Sequence, residues 1–250
     1  MHRLGASAGS SSQVSPSASN ASAAGAADAV VTLGGSCAAA YSLGAAAAAA
    51  PPAAPAGPAN PVPLGLAAFA LTCFVLSVAN AGIGFTHVEV VIGLALFFGG
   101  LVQLLAGQWS MATGDVFFAT LFSAYSAFWC SWAYIVMPSS GVLAAYADAG
   151  ELRSALGTYL LAWSLFTFMI TVAARKTNVA LFVTLCFLCL ALPLLSAGYF
   201  AAPTVDGAPN AQTIAGGWMG LGCSFSAWYT MLSILVTPAS AGFSLPNPKL

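Results

Sequence analysis

Residues 178–200 read NVALFVTLCFLCLALPLLSAGYF, 23 positions without one charged side chain. A helix rises ~1.5 Å per residue and the hydrocarbon core of a bilayer is ~30 Å thick, so ~20 apolar residues cross it. This run is long enough, and it is not alone. Five more of similar length and character stand at 64–84, 88–108, 116–137, 155–174 and 214–236. Within lipid each backbone polar group must find its partner inside the chain, so such runs form helices. The expectation is an all-α, polytopic membrane protein: a bundle of six transmembrane helices over residues 60–240, followed by a C-terminal tail at 241–250. Connections are short, so neighbours in sequence pack antiparallel.

Composition points the same way. The chain is 60% hydrophobic and 4% charged, with a mean hydropathy of +0.91, whereas soluble domains carry about 25% charged residues. Five Lys/Arg and six Asp/Glu cannot clothe a soluble surface, and a net charge of −1 offers no basic patch for nucleic acid. Polytopic proteins without a soluble domain mostly move something; the alternative is a non-transporting membrane sensor or scaffold. Of the six cysteines, Cys73, Cys130, Cys186, Cys189 and Cys223 lie inside apolar runs and Cys37 does not. Cys186 and Cys189 form a C-x-x-C, but on a continuous apolar helix they read as small hydrophobes, not as a redox or metal pair.

Residues 1–59 are built from Ala, Ser, Gly and Pro. Such a segment cannot bury a core, and it reads as a low-complexity disordered tail. Its Ala run at 45–50 is interrupted upstream by Tyr41, Ser42 and Gly44 and is rejected as a seventh span, and Asn20-Ala21-Ser22 is a sequon by pattern only. The cations set an orientation. With both termini in the cytosol, Arg3, Arg175, Lys176 and Lys249 are inside and only Arg153 is outside; the loops add Asp148, Glu151 and Asp206 outside and Asp115 inside. The membrane is the plasma membrane or that of an organelle such as a microbody; Pro248-Lys249-Leu250 approaches the peroxisomal Ser-Lys-Leu address.

No catalytic set is present: the two histidines are His2 in the tail and His87 in the first loop, and no Ser/His/Asp group, phosphate loop, metal cluster or cofactor signature accompanies them. An enzyme is therefore not expected, nor a metal, nor a cofactor. His87 and Glu89 read as an interfacial charged pair. Gly93, Gly100 and Gly107 recur every seven residues on the second run, and Gly216 and Gly220 form a G-x-x-x-G on the sixth, beside Gly217 and Gly222. Small residues in line let helices approach closely in lipid; the partner is either another helix of the same chain or a second subunit. Among the polar residues within the spans Thr72, Asn80 and Gln103 are candidates to line a polar path; a hydroxyl can instead bond back to its own helix, whereas the two amides are larger and harder to hide.

The mouth of the first run reads Asn60-Pro61-Val62-Pro63-Leu64-Gly65-Leu66. Asn60 suits a helix cap and Pro63 the first turn, where its missing N–H costs nothing. The helix N-terminus behind them carries about half a positive charge, one way to hold a carboxylate without a cation. The alternative is an ordinary Pro-started helix at the interface.

This N-P-x-P-L-G-L motif, followed at once by an apolar helix, resembles the signature of the acetate uptake transporter family, the succinate–acetate permease group. The resemblance runs in order from Asn60 to Tyr229: Asn80 and Gly82, then Gly99-Gly100-Leu101-Val102-Gln103-Leu104-Leu105-Ala106-Gly107, then Ser123 to Trp129, then Tyr159, Trp163 and Phe166 to Phe168, then Ala215 to Leu221 and Ser226-Ala227-Trp228-Tyr229. It implies a six-helix protomer in a homo-hexamer, with a path in each protomer for acetate and related small monocarboxylates, in some members succinate, usually linked to protons; ammonium has also been proposed as a substrate. It further implies a hydrophobic constriction of Phe, Tyr and Leu, for which Phe69 and Tyr125 match the first two and Phe187 falls where Leu is expected. A bulkier aromatic there would narrow the path and favour two-carbon substrates. The carboxylates common in the family late in the second and sixth spans are replaced here by Ser110 and, nearby, Ile234.

Overall fold

A computed structural model describes residues 57, 59–85, 87–201 and 208–250. The readings made on residues 1–56 (the low-complexity tail, its sequon and Arg3) and on Asp206 lie outside these residues. Six long helices stand where the apolar runs lie: α1 Val62–Asn80, α2 Val88–Ala112, α3 Val116–Val136, α4 Ala149–Ala173, α5 Val179–Phe200 and α6 Ala211–Leu235; a single short turn of helix, α7, follows at Pro238–Ala241. Five of them are apolar enough throughout to span a bilayer. The sixth, α6, has 25 residues and the length to do so, but Gly and Ser dilute its apolarity.

The starts are set by short polar side chains. Asp115, Asn178 and Asn210 accept the backbone N–H of Phe118 at 3.0 Å, Leu181 at 2.9 Å and Thr213 at 2.9 Å, each three residues ahead. These are N-caps, which satisfy donors that the helix cannot pair itself. Asp148 accepts from Gly150 and Glu151, and those two N–H groups hold its carboxyl below the usual range. That cap explains why α4 begins six residues before its apolar run: Glu151 and Arg153 ride on a polar first turn and a half.

In α2 the segment Leu94–Val102 is wound as a π-helix, with bonds to the fifth residue. The wide turn brings the Ala95 carbonyl so close to Gly100 that an added Cβ would sit 2.7 Å from it, so only glycine fits. The loosened backbone presents the Gly100 carbonyl to α3, where the Ser126 hydroxyl donates to it at 2.9 Å. Such windings are rare and recur at functional sites.

The contacts close into a ring: α1 on α2 and α6, α2 on α3, α4 on α5, α5 on α6, with α3 and α4 joined by side chains and α1 reaching across to α3. Small residues make the close contacts. A Cβ on Gly217 would strike the backbone of Ala81, one on Gly220 the hydroxyl of Ser77, one on Gly216 Leu195, and one on Gly107 Ser123. The glycines therefore serve packing within the chain; of the heptad series only Gly93 has open space around it. Between α3 and α4 the reverse holds. Stacked rings, Phe128 on Tyr159 and Tyr125 on Trp163, both at 6.2 Å, fill a wider gap. Hydroxyl bonds cross it from Ser131 to Tyr159 at 2.7 Å and between Tyr125 and Thr167 at 2.9 Å.

The outward faces are apolar, with Phe97 68% and Phe168 62% exposed, which suits lipid and not water. Arg175, Lys176 and Lys249 gather at one end of the bundle and Arg153 lies at the other. Residues 246–250 fold back over the start of α5. The Pro248 carbonyl accepts from Val179 at 3.0 Å, Asn247 from Ala180 at 3.2 Å, and the Leu250 N–H donates to Thr177 at 3.0 Å. The final tripeptide, read as approaching a targeting address, is thus tied to the bundle.

Candidate permeation path

Three cavities follow one another through the ring. The first is a vestibule of about 470 Å³ at the end where α1, α3 and α5 finish and α4 and α6 begin; Asn80, Trp132, Arg153, Leu160 and Tyr199 are among its walls. It shares Leu76, Asn80, Phe128 and Leu195 with a second cavity of about 30 Å³. The second shares Phe69, Tyr125 and Leu188 with a third of about 10 Å³, which reaches Leu66, Gln103, Leu121 and Leu181 toward the opposite end. A water needs roughly 10–15 Å³, so beyond the vestibule there is room for a water or two and no more. The path is open at one mouth and pinched at three residues.

The pinch is built from α1, α3 and α5. Phe69 and Tyr125 lie with ring centroids 5.8 Å apart and planes tilted by 54°. Both are buried, and Leu188 closes the third side. Phe187 does not: its ring lies against Gly222 of α6, where a Cβ would come within 2.7 Å of it. The expected Phe, Tyr and Phe set is thus corrected by one position to Phe69, Tyr125 and Leu188. On a helix adjacent residues differ by about 100° in direction, so the two cannot share a face. The narrowing expected from an aromatic third member disappears with it.

The polar candidates divide. Asn80, at the end of α1, stands where vestibule and second cavity meet. Gln103 is 1% exposed, lines the third cavity, and its Oε1 is buried without a hydrogen-bond partner. The indole N–H groups of Trp129, on the second cavity, and Trp132, on the vestibule, are likewise buried and unpartnered. Buried polar groups are nearly always paired, so three orphans along one path point to a polar occupant. Thr72 is elsewhere: its hydroxyl donates to Ala68 at 2.8 Å beside Gly99.

The entry motif is mostly structural. Asn60 takes the Val62 N–H at 3.0 Å, Pro61 is the N-cap, and Gly65 bonds back to Pro61 at 3.2 Å. With Pro63 lacking an N–H, Leu64 alone has a free donor in this turn, and Leu64 points outward. Gly65 is pressed on the Phe122 ring, and Leu66 alone of the motif reaches a cavity. A helix N-terminus stripped of donors is a poor anion holder.

The second and third cavities have no Asp, Glu, Lys, Arg or His in their walls. Ser110, standing where the resemblance expects an acid, is fully buried and bonds to Ala106 at 2.9 Å. Sequence reasoning missed Leu188, Trp129, Trp132, Thr167 and the vestibule position of Arg153. Only Leu188 carried a signal, the expected residue type one place from Phe187.

A ring of membrane-length helices around a chain of cavities, the inner two without charged side chains, defines an integral membrane transporter or channel. The chain belongs to the GPR1/FUN34/yaaH family, whose profile matches residues 43–250. It is similar to accumulation of dyads protein 2 of Saccharomyces cerevisiae, 45% identical over 197 residues, covering 76% of this chain and 68% of the relative. It is 41% identical to acetate permease A of Emericella nidulans over 194 residues, covering 75% and 65%. The chain thus spans about two thirds of the length of these relatives. Among solved structures it is similar to that of the bacterial acetate channel SatP, with a TM-score of 0.64 and 30% identity over 76% of this chain and 99% of that one.

Proposed function

We propose that this protein carries acetate and related small monocarboxylates across a membrane, through the path pinched at Phe69, Tyr125 and Leu188. One observation carries the reading: cavities lie on both sides of an aromatic–aliphatic pinch, with unpaired polar groups on each and no fixed charge beyond the vestibule. A small carboxylic acid resembles the side chains of Asp and Glu and is nearly all anion at neutral pH, and a bare anion enters an apolar medium only at great cost. The indole donors and Asn80 suit a carboxylate. The Phe, Tyr and Leu pinch suits the short apolar end and excludes hydrated ions. The likeness to acetate permease A and to the SatP channel supports the same substrate class.

With no carboxylate in the walls of the inner cavities, proton coupling in this reading runs through the substrate's own carboxyl. The resemblance further supports a homo-hexamer, with the exposed faces of α2 and α4 meeting neighbouring subunits or lipid, and the charge asymmetry supports cytosolic termini. The membrane concerned is that of the cell surface or of a microbody.

The test is flux of labelled acetate into liposomes holding the purified protein, with and without an imposed pH gradient and with ammonium as competitor. Acetate flux above that of protein-free liposomes, insensitive to ammonium, is the expected result. Ammonium flux without acetate flux overturns it.

A further inference from the structure

Arg153 is the one Lys or Arg at its end of the bundle among the described residues, and it lines the vestibule. It lies on the second turn of α4. It forms no ion pair; the single pair among the described residues joins His87 and Glu89 at 3.6 Å. Asp148, which interacts with Arg153 electrostatically without forming an ion pair, is already engaged by the N–H groups of Gly150 and Glu151. A half-buried guanidinium with no anion of its own therefore faces a cavity large enough for several small solutes.

We infer that Arg153 is the carboxylate-capture residue of the vestibule, drawing the substrate anion in before it meets the uncharged pinch. The inference rests on the proposed carriage of monocarboxylates and adds where selection for an anion takes place. A guanidinium offers a planar fork of donors matched to a carboxylate. A charge at the mouth of a low-dielectric cleft raises the local concentration of its counter-ion. The pinch can then remain free of cations, which would hold the anion too tightly to release it.

The test is acetate transport in proteoliposomes by the whole chain and by Arg153→Gln and Arg153→Lys. Arg153→Gln should raise the KM for acetate about fivefold, the worth of one close charge in partly screened surroundings, and leave the maximal rate within about twofold. Arg153→Lys, which keeps the charge but loses the planar fork, should fall between the parent and Arg153→Gln. In the parent, KM should climb with ionic strength, and in Arg153→Gln it should not. An unchanged KM in Arg153→Gln, or a parent KM flat across the salt series, overturns the inference while leaving acetate carriage standing. The salt series needs no variant, so it decides even where the substitution lowers folded yield. A parent that moves no acetate overturns both readings.

Discussion

The Tyr125 hydroxyl lies 2.9 Å from that of Thr167, a bond that ties the pinch to the far side of the α3–α4 seam. The ring of Tyr125 is wedged between Phe69, Trp163 and Phe166. Its hydroxyl therefore fixes the ring that forms the gate. Tyr125→Phe and Thr167→Val should each cost about 0.6 kcal/mol, the usual worth of an interhelical side-chain bond in a membrane protein. The double variant should cost little more than either single one, because both remove the same bond. Unfolding in detergent measures this. Tyr125→Phe should also leak larger monocarboxylates; additive losses with unchanged selectivity would show that the bond does not hold the gate.

Leu188, not Phe187, should set the width of the path. Leu188→Ala removes the third wall between the second and third cavities and should admit longer monocarboxylates. Leu188→Phe overfills a buried site, a change worth 1–3 kcal/mol, and should cut acetate uptake about tenfold. Phe187→Leu should leave the ratio of acetate to succinate uptake where it was. A shift in that ratio would return the gate to Phe187.

That one-residue difference shows what the sequence could and could not reveal. The helices were legible because an apolar run of bilayer length has one solution in lipid; the caps Asp115, Asn178 and Asn210 were not read as helix starts. The facing of α5 was not. It is apolar all round, so periodicity assigns no side to Phe187 or Leu188. The π-wound turn at Leu94–Val102 was hidden for a similar reason, since apolar content is the same for either winding. Arg153 looked like a lone loop cation until the ring closed and put the ends of five helices around it. Asn80 and Gln103 stood out because amides are hard to hide in a membrane, and both line cavities. Thr72 was misjudged because a hydroxyl can bond back to its own helix.

Close approach of α1 and α6 depends on Gly217. A Cβ there would sit 2.8 Å from the Ala81 Cα and nearer still to its nitrogen. Backbone cannot rotate away as a side chain can, so Gly217→Ala should cost about 1–3 kcal/mol and reduce both folded yield and uptake. Gly93→Ala is the contrast. Its Cβ meets nothing, and Ala is the better helix former by about 1 kcal/mol, so stability should hold or rise. Thermal unfolding of the two variants side by side checks the pair; equal losses would mean that Gly93 is also a contact, one made with another subunit.

Gln103 should trade stability against transport. Its Oε1 is buried without a partner beside the pinch, and an unsatisfied buried group costs about 1–3 kcal/mol. Gln103→Leu removes that cost at similar volume, so the variant should unfold about 1 kcal/mol later or more. The same substitution strips the third cavity of its amide, leaving the substrate with apolar walls and the Thr184 hydroxyl, which is already bonded to Ala180 at 2.9 Å. Acetate flux should therefore fall while the protein becomes harder to unfold. Such opposed changes are the mark of a residue kept for function at the expense of stability. A variant that is both less stable and less active would instead place Gln103 among the packing residues of α2, and the polar station would have to be sought at Asn80 alone.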